Sequence, residues 1–91
     1  IGERVAANFF PDWIGGPFAA RHHLRALGGS APGMAAEYVA LPASAWVKAP
    51  AHLGDAETAT LPCAAVTAWQ ALFERGRLKA GQTVLLQGTG G

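Results

Sequence analysis

The first half of the chain shows the alternation of apolar and polar residues that is typical of β-strands. We predict strands over residues 2–8, 35–41 and 45–48, because each run is short, contains β-branched or aromatic residues and is bounded by turn residues. Pro42 ends the second strand because proline has no N–H group to continue a hydrogen-bond ladder. We therefore expect this half to consist of strands and loops.

The second half changes to helical spacing. Asp55 predicts a helix N-cap, and Pro62 predicts a second helix start, because an interior proline loses a backbone hydrogen bond. From Cys63 onwards apolar residues recur three and four positions apart, and Gly76 is the predicted C′ residue that closes the helix. Residues 83–87 form a nearly all-apolar run, which is typical of a strand buried on both faces of a parallel sheet.

A long irregular segment, residues 11–33, follows the first predicted strand, with a short helix predicted over residues 21–27. Large apolar side chains cluster around its start: Phe9, Phe10, Trp13, Ile14 and Phe18. They either cover an apolar substrate as a lid or pack the segment onto its own domain, and the sequence leaves both interpretations open. Trp46 and Trp69 are predicted core residues.

Composition excludes several classes of partner. The net charge is +1 and 14% of residues are charged, so we expect no nucleic-acid partner and no attraction to an anionic membrane. The longest uncharged run, residues 58–73, is shorter than the roughly 20 residues that span a bilayer. A single cysteine, Cys63, excludes an internal disulfide and fits a reducing compartment, so we expect a cytoplasmic protein. The adjacent His22 and His23, together with His52, are predicted to be solvated.

The candidate chemistry lies at the end of the sequence. The predicted strand over residues 83–87 is followed by Gly88, Gly90 and Gly91. A buried strand that ends in such glycines is the arrangement that lets a backbone approach a pyrophosphate closely. A glycine-rich turn that binds no ligand would have the same pattern, so both interpretations stand on this motif alone.

Four segments in register resemble the medium-chain dehydrogenase/reductase superfamily, which includes zinc-type alcohol dehydrogenases and quinone oxidoreductases. They are GERV at residues 2–5, GMAAEYV at residues 33–39, LPCAAVTAWQAL at residues 61–72 and KAGQTVLLQGTGG at residues 79–91. The resemblance covers nearly the whole chain in the expected order. It implies an internal fragment of a longer enzyme, and both ends of the sequence look cut.

The fold that this resemblance implies is mixed β and α/β. Residues 1–50 would be the C-terminal half of a GroES-like β-barrel, the catalytic domain of the superfamily. Residues 51–80 would be the connecting helical segment, and residues 81–91 the truncated start of a Rossmann-type cofactor-binding domain with its first strand. We expect the isolated fragment to be inactive and to bind cofactor only weakly.

The resemblance also implies a cofactor site for NADP or NAD. Its positions in this sequence are Thr67, Gly88, Thr89, Gly90 and Gly91. Thr67 matches a position near the nicotinamide ring. The alternative for this threonine is a hydroxyl that bonds back to the carbonyl group four residues earlier in its own helix.

The resemblance also bears on zinc. Cys63 matches the position of a catalytic-zinc thiolate in the zinc-dependent branch, but a lone helical cysteine also serves as a small buried hydrophobe. A catalytic zinc needs three protein ligands, which Cys63 alone cannot supply. The structural-zinc lobe of the family needs four cysteines, and residues 11–33 contain none. This departure favours the zinc-free, quinone-reductase-like branch.

The implied parent enzyme transfers a hydride between the nicotinamide cofactor and a small molecule: an alcohol or carbonyl compound, a quinone or an activated alkene. The parent is expected to be a homo-oligomer. Two alternatives remain open: a zinc-dependent alcohol dehydrogenase that uses Cys63 as a ligand, and a non-enzymatic GroES-like module with a binding or structural role.

Overall fold

The chain has a small antiparallel sheet and a long helix, and the computed structural model describes residues 1–88. Strand β1 (Val5–Ala7) pairs with strand β2 (Trp46–Lys48) in the register Val5↔Lys48, Ala6↔Val47 and Ala7↔Trp46. These strands lie within the predicted runs 2–8 and 45–48, so both predictions are confirmed. The pairing joins two segments that lie about forty residues apart in the sequence.

The prediction of a strand over residues 35–41 is wrong. This segment has no ladder; it begins with a tight turn in which the Ala36 N–H donates to the Met34 carbonyl at 2.9 Å. Tyr38 is 92% exposed. Strand propensity is realised only when a neighbouring strand accepts the hydrogen bonds, and within residues 1–88 no segment pairs with this one.

The irregular segment folds around a 3-10 helix at Ala20–Arg25, where the sequence predicted a short helix over residues 21–27. A second short 3-10 helix, Ala43–Ala45, leads directly into β2. The Leu27 N–H donates to the Phe9 carbonyl at 3.0 Å, which ties the end of the segment to its beginning. The segment is therefore a closed loop held by its own backbone.

One long helix follows the sheet and runs from Asp55 to Arg75. It consists of α1 (Asp55–Thr60), a π-helical segment (Leu61–Ala65), α2 (Val66–Trp69) and a second π-helical segment (Gln70–Arg75).

The N-cap of this helix is Gly54, so the predicted N-cap at Asp55 is displaced by one residue. The Gly54 N–H donates to the Glu57 carboxylate at 2.8 Å, which is the reciprocal half of a capping box. The Asp55 carboxylate instead accepts a hydrogen bond from the Arg4 guanidinium at 2.6 Å, so its side chain connects the helix to the residue before β1 rather than capping the helix.

The helix continues through Pro62, and the predicted second start at this residue is wrong. Leu61, the preceding residue, has helical angles of φ −62° and ψ −44°. The Val66 N–H reaches the Leu61 carbonyl five residues back, which is π-helical pairing. A wider turn accommodates the proline ring and does not use the N–H group that proline lacks.

The helix ends differently from the prediction at Gly76. Gly76 has φ −74° and is the C-cap, whereas Arg77 has φ +50° and takes the left-handed position. The terminal hydrogen bonds span five and six residues instead of four. The Gly76 N–H donates to the Ala71 carbonyl at 2.8 Å, and the Leu78 N–H donates to the Leu72 carbonyl at 2.9 Å. The π-helical last turn therefore moves the left-handed residue one position beyond the glycine.

The buried strand predicted over residues 83–87 is not formed. The segment forms no ladder, and Leu85 and Leu86 are 82% and 78% exposed. A strand of a parallel sheet is buried by its neighbours on both sides and by helices on its faces. No part of residues 1–88 pairs with this run.

The core is small. The buried apolar residues of the described chain are Ala26, Ala45 and Ala49, with Pro11 also enclosed. Trp69 is 58% exposed and Trp46 only half-buried, so the prediction that both tryptophans lie in the core is wrong. The accessible surface is 7462 Å², against about 5,000 Å² for a compact monomer of this mass. No helix within residues 1–88 combines the length and apolarity required to cross a membrane.

Thr58 is buried with an unsatisfied hydroxyl, so replacing it with valine is expected to stabilise the chain. Its side chain is 5% exposed and its Oγ1 has no hydrogen-bond partner. Because an unpaired buried hydroxyl costs about 1–3 kcal/mol, Thr58→Val should raise the free energy of unfolding by about 1 kcal/mol. Thermal melts followed by circular dichroism measure this.

Thr60→Val is the matched control, because Thr60 lies on the same helix but is exposed and donates its hydroxyl to the Glu57 carbonyl at 2.8 Å. It should leave the melting temperature unchanged or lower it slightly. A Thr58→Val protein that melts below the Thr60→Val protein would contradict the expectation.

Candidate functional site

A cleft of about 420 Å³ separates the start of the loop from the middle of the long helix. The loop supplies one wall from residues 8–15, and the helix supplies the other from residues 62–70. The lining residues are Asn8, Phe9, Phe10, Trp13, Ile14, Gly15, Pro62, Cys63, Val66, Thr67 and Gln70. This volume falls within the range of small-molecule sites. Most of its lining is apolar or aromatic.

The loop wall is held by aromatic packing. The ring of Phe10 lies 4.6 Å from that of Phe9, 4.9 Å from that of Phe18 and 6.3 Å from that of Trp13, in edge-on or tilted arrangements. The Trp13 indole N–H donates to the Gly16 carbonyl at 2.9 Å, which fixes that ring. The aromatic side chains thus pack the loop onto itself and also present one face to the cleft.

His22 supports this wall from behind, and its predicted solvation is wrong. It is only 4% exposed, and its Nδ1 accepts a hydrogen bond from the Ala19 N–H at 3.0 Å. Its ring stacks on that of Trp13, with 6.1 Å between the ring centres. The 3-10 turn directs His22 inward, while the adjacent His23 is exposed. The His23 ring meets that of Phe18 edge-on, with 4.8 Å between the ring centres. His52 is exposed as predicted.

Thr67 lies on the helix wall and makes the back-bond that was one of its two interpretations. Its Oγ1 donates to the Cys63 carbonyl at 2.7 Å, four residues earlier. A hydroxyl has one hydrogen and two lone pairs, so Thr67 retains acceptor capacity after this bond. A ligand group that meets this hydroxyl must therefore donate.

Cys63 lies one helical turn before Thr67 and also lines the cleft. Its thiol is free and the residue is exposed, so the interpretation as a buried hydrophobe is wrong. Within residues 1–88 no group of three or more histidine, cysteine or carboxylate side chains comes together around it or elsewhere.

The predicted phosphate-binding glycines are described only in part. Gly88 has φ +81°, a backbone conformation that glycine adopts at little cost, and a Cβ atom there would have open space around it. Thr89, Gly90 and Gly91 lie outside the described residues. The left-handed conformation of Gly88 is the one that a tight glycine turn requires.

Two polar residues of the cleft were missed by the sequence analysis. Asn8 follows β1 directly, and Gln70 lies on the helix wall. A signal for Gln70 was available, because Cys63, Thr67 and Gln70 stand at positions i, i+4 and i+7 and so share one helical face. Asn8 gave no such signal, since its place in the cleft depends on how the loop folds back.

Two curated proteins match essentially the whole chain. A zinc-type alcohol dehydrogenase-like protein of Schizosaccharomyces pombe is 46% identical over 92 aligned positions, which cover 99% of this chain. A second zinc-type alcohol dehydrogenase-like protein, from Leptosphaeria maculans, is 34% identical over 98 positions and 100% of this chain. The chain spans 27% of the length of each.

A shorter match links the chain to a phthioceranic/hydroxyphthioceranic acid synthase of Mycobacterium tuberculosis. It is 51% identical over 43 residues, which are 46% of this chain and 2% of that protein. No protein-family model and no solved structure matches the chain. The two long matches place the chain in the family of zinc-type alcohol dehydrogenase-like proteins within the medium-chain dehydrogenase/reductase superfamily.

Proposed function

We propose that this chain is part of an NAD(P)(H)-dependent oxidoreductase that transfers a hydride between a nicotinamide cofactor and an alcohol or carbonyl compound, a quinone or an activated alkene. The supporting observation is the cleft that brings Thr67 and an apolar, aromatic wall together. Thr67 is the residue that the family resemblance places near the nicotinamide, and the long matches support an alcohol dehydrogenase-type oxidoreductase.

The proposed architecture follows from the same family membership. Residues 1–50 contribute strands to a GroES-like barrel, residues 51–80 form the connecting helix, and residues 81–91 begin a Rossmann-type domain. The exposed Leu85 and Leu86 support the last part of this proposal, because such an apolar run needs neighbours that cover it. The half-exposed tryptophans and the large accessible surface are consistent with further packing of both segments.

The side chains of the cleft have specific roles in this proposal. When bound, the nicotinamide supplies or accepts the hydride. The Thr67 hydroxyl, whose hydrogen is committed to the Cys63 carbonyl, would offer its oxygen as an acceptor to an N–H group of the cofactor. The packed aromatic wall excludes water and holds the substrate against the cofactor, which favours a reactive orientation.

Gly88 contributes backbone rather than a side chain. Its φ of +81° and the open space where a Cβ would lie leave room for a phosphate group to approach the turn. Thr89, Gly90 and Gly91 would continue this phosphate-binding turn.

Zinc does not fit residues 1–88 as a self-contained site. A catalytic zinc takes three protein ligands, and Cys63 is the one candidate ligand that the cleft contains. Because residues 11–33 also lack the four cysteines of a structural-zinc lobe, we propose the zinc-free route and assign residues 1–88 no step at a metal. Metal analysis of the gene product beside its Cys63→Ser variant separates the two routes, because loss of bound zinc in the variant would make Cys63 a ligand.

Thr67→Val tests the proposed function. Removing the acceptor oxygen while keeping the shape of the side chain should weaken NADPH binding about fivefold, the cost of one lost hydrogen bond. The measurement is a fluorescence titration of NADPH into the gene product that contains these residues.

Thr60→Val is again the control, since Thr60 makes the same kind of bond to its own helix but does not line the cleft. Its NADPH affinity should equal that of the unmodified protein. Equal affinities for the Thr67→Val and Thr60→Val proteins would remove Thr67 from the cofactor site, and the absence of NADPH binding in the unmodified protein would overturn the proposed function.

A further inference from the structure

The short connecting turn between β2 and the long helix, residues 49–54, is held at both ends by Arg4, the residue before β1. At its start, the Ala49 N–H donates to the Arg4 carbonyl at 2.9 Å. At its end, Nη2 of Arg4 donates to the Leu53 carbonyl at 2.9 Å. Nε and Nη2 of Arg4 also donate to Oδ1 of Asp55, the first residue of the helix, at 3.0 and 2.6 Å. One residue thus ties the start of the helix to the sheet.

The connecting turn has little internal support of its own. Its backbone hydrogen bond, from the Leu53 N–H to the Pro50 carbonyl, measures 3.3 Å and is longer than a typical bond of this kind. Gly54, which leads into the helix, has no side chain to restrict its backbone. The direction of the helix relative to the sheet therefore depends on the bonds from Arg4.

This direction decides how far apart the two walls of the cleft lie. The loop wall begins at Asn8, directly after β1, and the helix wall lies beyond the connecting turn. From Asp55 to Thr67 the helix runs roughly 18 Å, at about 1.5 Å per residue, so a rotation of about 5° at the connecting turn would move Thr67 by about 1.5 Å. Displacements on the order of 1 Å are large for a site that must orient reacting groups.

The Arg4–Asp55 pair is better suited to fixing geometry than to stabilising the chain. Its two side chains are 46% and 93% exposed, and exposed ion pairs contribute little to the free energy of unfolding. The geometry is nevertheless specific, because the planar guanidinium holds its donors in a fixed fork and reaches two acceptors at once. Loss of the pair should therefore change the direction of the helix more than it changes the stability.

We propose that Arg4 is a positioning residue: by binding the Leu53 carbonyl and the Asp55 carboxylate, it fixes the angle between β1 and the long helix and so sets the width of the cleft. The effect on cofactor binding rests on the proposed function, because it acts through the position of Thr67. The effect on the width of the cleft does not require a cofactor.

Distance measurements between two spin labels test the width of the cleft. Labels at Arg21→Cys on the loop and Glu74→Cys on the helix, both exposed positions, report the separation of the walls in a gene product without other reactive cysteines. Without cofactor, Arg4→Gln should at least double the width of the distance distribution measured by double electron–electron resonance.

Lys48→Gln is the matched control for this measurement. Lys48 forms an exposed ion pair with Glu3 at 3.3 Å, but that pair joins the two strand segments of the sheet rather than the sheet and the helix. The control should keep the distance distribution of the unmodified protein. A distribution that stays unchanged in Arg4→Gln, or that broadens equally in Lys48→Gln, would overturn the proposal.

A double-mutant cycle tests whether Arg4 acts through Thr67. Arg4→Gln should weaken NADPH binding about threefold, a partial loss of the bond whose removal by Thr67→Val costs about fivefold. Because Arg4 acts through the position of Thr67, the double variant should bind NADPH no more weakly than Thr67→Val alone. Losses that multiply in the double variant would mean that Arg4 affects the protein independently of Thr67, and would overturn its role as a positioning residue.

The outcomes for the cleft and for the cofactor are distinguishable. A broadened distance distribution in Arg4→Gln, without NADPH binding in the unmodified protein, would overturn the proposed function and leave the inference about the width of the cleft intact. NADPH binding together with an unchanged distribution in Arg4→Gln would overturn this inference and leave the proposed function intact.

Discussion

Replacing Gly88 with alanine is expected to weaken binding of the nicotinamide cofactor about tenfold. Gly88 has φ +81°, and holding an L-residue in this left-handed region costs about 1–2 kcal/mol. A cost of about 1.4 kcal/mol corresponds to a tenfold loss of affinity. The added methyl group also occupies the open space through which a phosphate would approach the turn. The measurement is an NADPH titration of the gene product, followed by cofactor fluorescence.

Gly81→Ala is the matched control for this substitution. Gly81 has φ +85° and likewise open space where a Cβ would lie, so alanine carries the same backbone strain there. It belongs to the turn before the apolar run, where no phosphate contact is proposed. Both variants should lose similar thermal stability, but only Gly88→Ala should lose cofactor affinity. Parallel losses in both would mean that Gly88 belongs to a bare turn.

The elements that the sequence predicts correctly are those whose cause is local. The back-bond of Thr67, one of its two interpretations, needs only its own helix. The cores of β1 and β2 follow from short apolar runs bounded by turn residues. Their register does not, because the contact between Val5 and Lys48 depends on the path of the loop between them.

The incorrect predictions share a dependence on distant partners. The runs at residues 35–41 and 83–87 have strand character, but a strand forms only where another strand accepts its hydrogen bonds. His22 is buried because the aromatic loop folds over it, which its polar neighbours along the chain do not reveal. Single-sequence patterns describe propensity, and tertiary contacts decide whether it is realised.

The cleft was only partly predictable. The family resemblance singles out Thr67 and Cys63, and both line the cleft. The aromatic residues of the loop were interpreted either as a lid over a substrate or as a self-packed cluster. The structure shows the packing, and the lid interpretation stays a prediction. Asn8 was treated only as the end of a strand, because nothing in its local sequence indicates that the loop returns to the helix.

The end of the long helix gives the second large expected effect. Gly76→Ala should destabilise the chain by about 2 kcal/mol, within the range of overpacking substitutions. A Cβ atom at Gly76 would lie 2.8 Å from both the Ala71 and the Leu72 carbonyl oxygens, and backbone atoms cannot move aside as a flexible side chain could. The φ of −74° itself suits alanine. The better helix propensity of alanine offsets at most about 1 kcal/mol of this clash.

Two further variants separate the clash from general effects of alanine and glycine. Gly15→Ala has open space and no positive φ, so it should change the free energy of unfolding by less than about 0.5 kcal/mol. Arg77→Gly should stabilise the chain by about 1 kcal/mol, because glycine relieves the left-handed strain at φ +50°. Urea denaturation of the three variants gives the comparison. An unchanged free energy of unfolding in Arg77→Gly would contradict this description of the helix end. It would mean that Gly76, and not residue 77, takes the left-handed position.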